Sequence, residues 1–555
     1  MGFHPVCYSG RLPGISLGGI DLAEESGAPR HSLEGGVGGA AAVISVLAAA
    51  AKVAGFLRDR TLAVAFGVGA ESDAYMVAAW VPGLIVTLVT SGVVTGLLPV
   101  FTGMTAVGRR DRAWRVASAV LSGTVLGCAV LTAFGMAFPQ SIVLALAPGF
   151  PLETAALTTK LLRISLPAML FIGLFAVESA VLQSHKRFTL SAAGPVVVNA
   201  CTIAGIVLLS RRMGIAGAML GTVAGYAAQS LLLLPSVAWR WGRFSPGAGV
   251  RDPEFREVMR LAGPVLVLSV FSHASGVIEK YLASGLTPGS VAALSFANKL
   301  VLLPAGLFSA ALSTAMFPRM AEASAREDRD SLRRFVLGGS RALAYLAIPA
   351  AVGLAAMRRP IVRALFESGA FGSAATEATA AAVLWYSAGM LFWCVNPVLE
   401  RAFAATKDTM TPSAAGIARV AAFGLAAAPL SRALGHEGIA LAASATAGLA
   451  CIFLWVVLAS RLRIEIGRAE VLSFLVRVAI GCGAMVASTT WALRRVAILG
   501  LDGGVVATLA CVGAGGAVYL VTTYALGVAE ARDLARAAAA GIRRMRGRWG
   551  RRPAA

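Results

Sequence analysis

The sequence predicts an all-α polytopic membrane protein with about fourteen transmembrane helices. Three observations predict it. Hydrophobic residues make up 57% of the 555 residues and charged residues 14%, against about 25% charged in soluble domains. The mean hydropathy is +0.76. The apolar residues come in long continuous runs, which excludes the alternating pattern of a membrane β-barrel.

The candidate spans lie near 37–66, 73–102, 113–138, 155–183, 189–210, 213–238, 258–285, 289–321, 333–356, 376–405, 411–430, 437–460, 470–493 and 503–527. Several exceed the length a perpendicular helix needs, so tilt or kinks are expected. Pro82, Pro167 and Pro304 interrupt apolar runs and are candidate kinks.

The net charge is +21. In a soluble chain that would suggest nucleic acid. Here the cations gather in the connections, as in GRRDRAWR, SHKRF and RRMRGRWGRR, where they fix orientation at the cytoplasmic face. Nucleic acid is therefore not an expected partner. An even number of spans places both termini in the cytoplasm. The seven Cys and five His are scattered without metal-ligand spacing, so they read as packing residues and no metal is expected. There is no GxxxxGK[ST] loop, so ATP hydrolysis is not built in. No nucleophile or acid–base cluster marks an enzyme.

The chain repeats itself. MLF at 169–171 returns at 390–392, SHKRFTLSAAG at 184–194 as ATKDTMTPSAAG at 405–416, GIAGA at 214–218 as GIALA at 438–442, and LPVF at 98–101 has FPRM at 317–320. The offset of about 220 residues spans six helices, so the copies are parallel repeats. The expected organisation is a flexible cytoplasmic tail at 1–36, one lobe at 37–238, a cytoplasmic linker at 239–257 and a second lobe at 258–460. Two further helices follow at 470–527, then a basic cytoplasmic tail at 528–555. Repeats of this kind hold substrate near the midplane between the lobes.

Charges inside the spans carry the functional reading. The first span places Lys52, Arg58, Asp59 and Arg60 in its second half; span seven has Glu279 and Lys280, and span eight Lys299. A charge at the bilayer centre costs about 2.5–3.5 kcal/mol. Arg163 and Arg60 can be explained by snorkelling or local pairing. Lys52 and Lys299 are deep and lack a local acid, which points to a hydrated cationic cavity between the lobes. Residues six apart on an ideal helix differ by about 240° in direction. Lys52 and Arg58 can share a cavity only if the helix bends, and Gly55 permits that. Cationic excess implies an anionic substrate, with phosphate or diphosphate fitting best.

KVAGFLRDRTLAVAFGVGAESDAY (52–75) resembles the first-helix signature of the MurJ/MviN lipid II flippases, within the multidrug/oligosaccharidyl-lipid/polysaccharide exporter superfamily. LAPGF (146–150), VIEKYLASGLTPGSVAALSFANKLVLLPAGLF (277–308) and LFESGAFG (365–372) resemble further landmarks. The resemblance implies fourteen helices in two lobes and alternating access. It implies transfer of an undecaprenyl-diphosphate-linked peptidoglycan precursor across the bacterial inner membrane. Position by position, it implies that Lys52, Arg58 and Lys299 hold the headgroup; the charges read inside the spans add Lys280 as a further cation of the cavity. Asp59, Asp73, Gly55, Glu279 and Asn298 support or gate it. It implies no cofactor, but a coupling ion (sodium or protons) or the membrane potential as driving force, and cell-wall synthesis proteins as partners. The sequence departs from the pattern in helix two, PGLIVTLVTSGV (82–93), where Thr87 stands for an arginine and Ser91 for a glutamate. Another polyprenyl-diphosphate-linked glycan, or a drug or cation, stays open as substrate on these residues.

Overall fold

The computed structural model describes residues 34–240, 249–464, 467–498 and 504–536. Most of the 1–36 and 528–555 tails and part of the 239–257 linker lie outside the described residues. Among the described residues, apart from one isolated bridge, Ser368 to Phe371, the regular elements are helices.

The first lobe runs α1 (Glu34–Phe66), α2 (Ala70–Ala106), α3 (Arg110–Ala137), α4 (Pro139–Leu146), α5 (Leu152–Ser165), α6 (Ala168–Ser184), α7 (Phe188–Ala204), a π-segment (Gly205–Leu209), α8 (Ser210–Met213) and α9 (Ile215–Arg240). The second runs α10 (Pro253–Ser284), α11 (Ser290–Ala325), α12 (Arg329–Ala356), α13 (Arg358–Phe366), α14 (Ser373–Ala405), α15 (Met410–Leu434) and α16 (His436–Leu462). Then follow α17 (Arg468–Ile498) and α18 (Val505–Ala525). Among the described residues, thirteen helical stretches are long and apolar enough to cross a membrane. With the 33-residue α1 they make the multi-pass bundle the sequence predicts.

Of the three candidate kinks, only Pro167 coincides with a break, between α5 and α6; Pro82 and Pro304 lie inside continuous α2 and α11. The short α4 and α13 are absent from the hydropathy pattern, because helices of eight and nine residues cannot span and leave no long apolar run.

The two lobes reuse one packing scheme. α1 packs on α7 as α10 packs on α15. α2 packs on α6 as α11 on α14, α3 on α6 as α12 on α14, and α7 on α9 as α15 on α16. Even the caps recur. α6 ends with Lys186 at φ 59° and α14 with Lys407 at φ 59°. In each the next amide reaches back five residues, Arg187 to Leu182 and Asp408 to Phe403, both at 2.9 Å. That is a Schellman stop, which satisfies carbonyls a helix end would otherwise leave bare.

The lobes meet unequally. α2 packs on α10 along most of its length: from Trp80 beside Gly276, through Gly92 against Leu266, to Gly96 against Val258. Beyond, Arg112 pairs with Glu254 at 3.1 Å. The repeat relates this seam to the one between α1 and α11, which are not packed backbone to backbone. α1 leaves Val46 and Val53 exposed, and α11 leaves Leu302 and Leu307 exposed. This second seam is sealed at the end away from the N-terminus, called here the far face. Phe56 of α1 meets Phe366 of α13 at 5.8 Å, Phe296 of α11 meets Phe366 at 5.5 Å, and the Ala370 amide donates to Val64 O at 2.9 Å.

α17 and α18 dock on α12. The Tyr345 and Thr523 hydroxyls lie 2.7 Å apart, Tyr519 Oη donates to Tyr345 O at 2.9 Å, and the two tyrosine rings are 5.2 Å apart. Arg341 reaches Glu530 at 2.8 Å.

Candidate functional site

The charges of α1 meet α11 at the narrow part of the open seam. Asp59 is 7% exposed. Its Oδ1 accepts from Arg58 Nη2 at 2.8 Å and Nε at 3.1 Å, and from Lys299 Nζ at 2.9 Å. One carboxylate therefore serves two cations, and the cluster keeps one positive charge in excess. Arg58 also lies within electrostatic reach of Tyr75, whose hydroxyl is 3.0 Å from Thr222 Oγ1, and of Tyr226. The Lys299 side chain is 42% exposed although its ammonium bonds the other lobe. It therefore lines the space between the lobes.

Lys52 is exposed, and its ammonium lies beside Gly306 of α11. It adds a further positive charge to the same seam, about nine to ten Å along α1 from Arg58. α1 continues as one helix through Gly55, with Asn199 of α7 beside that glycine. Lys52 turns toward α11 while Arg58 turns toward Asp59, Tyr75 and Tyr226, so both border the seam from different directions.

Glu279, Lys280 and Asn298 form a second group. Lys280 is 6% exposed. Its ammonium is 3.5 Å from Glu279 Oε1 and stands 5.5 Å from the Trp80 ring centre. Tyr386 Oη donates to Glu279 Oε2 at 3.2 Å, and Asn298 lies within electrostatic reach of the same phenol. Lys280 is thus buried and neutralised, unlike Lys299. Thr87 is exposed on α2, and its hydroxyl turns back to Gly83 O at 3.3 Å.

Asp73 does different work. It is 3% exposed, and its oxygens accept from the backbone amides of Gly289 at 2.6 Å and Ala292 at 2.7 Å. These are free amides at the start of α11, which every helix N-terminus offers. An acid of one lobe therefore caps a helix of the other at the far face. Gly289, at φ 95°, packs on Val68. Beside it the Gly149 amide donates to Ser284 Oγ at 3.1 Å, and a methyl on Gly149 would lie 2.4 Å from Gly285 Cα. The far face is closed.

Sequence reasoning misses Trp80, Tyr386, Tyr75, Gly149 and the Gly289 and Ala292 amides. The aromatics carry no signal that separates them from core residues, and a backbone amide has no sequence signature at all. Among the described residues no group of three His, Cys, Asp or Glu could hold a metal ion.

A family model described as "Lipid II flippase MurJ" matches residues 62–508. The chain belongs to the MurJ family. It is thus a member of a family of flippase transporters, not of enzymes. A probable lipid II flippase MurJ of Vibrio cholerae is 27% identical over 502 residues, covering 88% of this chain and 95% of that one. The lipid II flippase MurJ of Burkholderia cenocepacia is 26% identical over 419 residues, covering 74% and 81%. Among solved structures, a lipid II flippase MurJ in an inward closed conformation superposes with a TM-score of 0.73 at 23% identity, covering 86% of this chain and 97% of that one. An inward-facing MATE family transporter of the MOP superfamily reaches 0.65 at 14% identity, covering 74% and 94%. These likenesses place the MurJ-family chain in the MOP transporter fold.

Proposed function

We propose that this chain moves lipid II, the undecaprenyl-diphosphate-linked peptidoglycan precursor, from the inner to the outer leaflet by alternating access. The carrying observation is a cationic cluster of Arg58, Asp59 and Lys299 on an open α1–α11 seam, in a chain matched by the flippase family model over 62–508. A diphosphate headgroup is an anion that such a cluster attracts. The unpacked seam lets a lipid tail stay in the bilayer while the headgroup enters. Lys52, Arg58 and Lys299 hold the diphosphate, and Lys280 with Glu279, Tyr386 and Asn298 props the wall behind.

In this reading the protein lies in the bacterial inner membrane with both termini in the cytoplasm. The Arg-rich turns near 109–115 and 185–187 then fall inside, as the positive-inside rule favours. The closed far face is periplasmic, and Asp73 and Gly149 form its gate. An inside-negative potential helps a dianion outward by about 2.3 kcal/mol per charge per 100 mV. Sodium or protons remain candidate coupling ions, and cell-wall synthesis proteins candidate partners. A cation or drug exporter would need acids free to face the seam. Glu279 is committed to Lys280 and Tyr386, Asp59 to two cations, and Glu178 is buried at 3% exposure, accepting from Ser230 of α9 at 3.0 Å, which speaks against that reading.

The test is depletion–complementation in a bacterium whose own lipid II flippase is switched off, scoring growth and outer-leaflet lipid II. Rescue that is lost in Arg58→Ala and in Lys299→Ala supports the proposal. A well-expressed, inserted protein that gives no rescue refutes it.

A further inference from the structure

A second cationic hollow lies away from the seam, at the far face, in the angle between α4 and α5. It measures about 400 Å³ and is lined by Gln140, Ala156, Thr159, Lys160, Arg163 and Ile164. The five α5 residues recur at i, i+3, i+4, i+7 and i+8, one stripe of a helix. The rest of α5 buries Thr154, Thr158, Leu161, Leu162 and Ser165 as the helix packs on α2 and α9. Gln140, Lys160 and Arg163 are exposed, and neither cation has an acid partner among the described residues.

The fold does not require these cations. The MLF repeat, 169–171 and 390–392, aligns Lys160 with Ala381 and Arg163 with Leu384. The second lobe builds the same helix with apolar residues. Topology does not require them either. In the orientation proposed above, on which this inference rests, they lie on the face where the positive-inside rule disfavours cations. Lys160 and Arg163 start roughly 12 and 17 Å along α5 from Leu152. Their apolar stems can carry the charged heads up to the headgroup level.

We propose that this hollow binds the phosphate of a lipid headgroup in the outer leaflet. Arg163 offers a planar fork for two phosphate oxygens, Lys160 a point charge and Gln140 an amide donor. The shared chemistry is a phosphate ester at the membrane surface, borne by an anionic phospholipid or by a polyprenyl diphosphate arriving in that leaflet. The hollow adjoins the gate, because the α4–α5 turn carries Gly149, whose amide bonds Ser284 of the other lobe. A headgroup seated between α4 and α5 therefore bears on the element that closes the far face.

The test is native mass spectrometry of the purified full-length protein, titrated separately with phosphatidylglycerol, undecaprenyl diphosphate and inorganic pyrophosphate. Wild type is compared with Lys160→Ala/Arg163→Leu, which installs the residues the second lobe already accommodates, and with Lys160→Arg. Each is also run with Arg58→Ala/Lys299→Ala, which removes the seam cluster. Lys160→Ala/Arg163→Leu should lose about 25-fold in lipid affinity, about fivefold for each cation near a phosphate, with unchanged unfolding temperature, and Lys160→Arg should keep it. Selective loss of phosphatidylglycerol identifies a bulk phospholipid; selective loss of undecaprenyl diphosphate identifies the carried lipid. Unchanged binding of both lipids, or loss confined to pyrophosphate, overturns the proposal. The titration needs no transport, so a failure of the lipid II assignment would leave its outcome readable.

Discussion

Asp59 on α1 and Lys299 on α11 touch at 2.9 Å across the lobe boundary, on a seam where the two helices are otherwise not packed together. The carboxylate is shared with Arg58 at 2.8 Å. Removing either end changes where the other charge points. Lys299→Ala should lower lipid II exposure at least about tenfold, a discounted share of what a desolvated pair is worth because the lysine is partly exposed. Lys299→Arg should retain most of it. If Asp59 acts by positioning Lys299, Asp59→Asn adds little further loss to Lys299→Ala in a double-mutant cycle.

Asp73 closes the far face with both carboxylate oxygens. Asparagine has one acceptor oxygen and would turn an NH2 toward a backbone N–H. Asp73→Asn should cost the closed gate about 1–3 kcal/mol. Spin labels on α2 and α11 near the far face should report a larger separated fraction. An unchanged distance distribution would show that the cap does not hold the gate.

The Gly149 and Gly285 positions look alike in sequence but differ in space. A methyl on Gly149 would strike the Gly285 backbone at 2.4 Å, whereas one on Gly285 meets nothing nearer than Leu282 O at 3.7 Å. Gly149→Ala should therefore impair rescue and open the far face, while Gly285→Ala should behave as wild type. Equal effects of the two would contradict the packing.

Asp408 lies in the turn between α14 and α15. The Thr411 hydroxyl at 2.6 Å, the Thr411 amide at 3.0 Å and then Arg461 hold its carboxyl down to about 2. The ordinary value is about 4. A carboxyl depressed on folding adds stability above about pH 4 and loses it as pH falls through about 2. The difference in unfolding temperature between wild type and Asp408→Asn should stay constant from pH 7 to about 4, then shrink toward zero.

Tyr345→Phe removes the hydroxyl beside Thr523 Oγ1. That threonine still donates to Tyr519 O at 2.8 Å, so no group is stranded. The loss should be about 1 kcal/mol, read as a small drop in unfolding temperature, with faster proteolysis between α17 and α18. Wild-type behaviour in both would mean the apolar contacts alone hold this pair.

The cation cluster was partly legible. Lys52, Arg58 and Lys299 stand out because a charge in an apolar run is costly and needs a reason. Lys280 stood out equally, yet it is buried against Glu279 and Trp80. Both lysines interrupt apolar runs, and only the neighbouring helices distinguish a charge facing the seam from one facing Trp80.

The linear chain alone determined the class, the number of spans, the twofold repeat and the candidate charges. Those properties follow from apolar run length, which the bilayer thickness sets, and from local chemistry repeated about 220 residues apart. The tertiary structure decided that α2 and α10 pack while α1 and α11 do not. It also decided that Asp73 caps a helix of the other lobe, and that Lys160 and Arg163 share a hollow with Gln140. Each of these depends on groups remote in sequence brought within a few ångströms, often through backbone amides that every residue carries. Hydrophobic periodicity orients a helix toward the protein but does not name the neighbour it meets there.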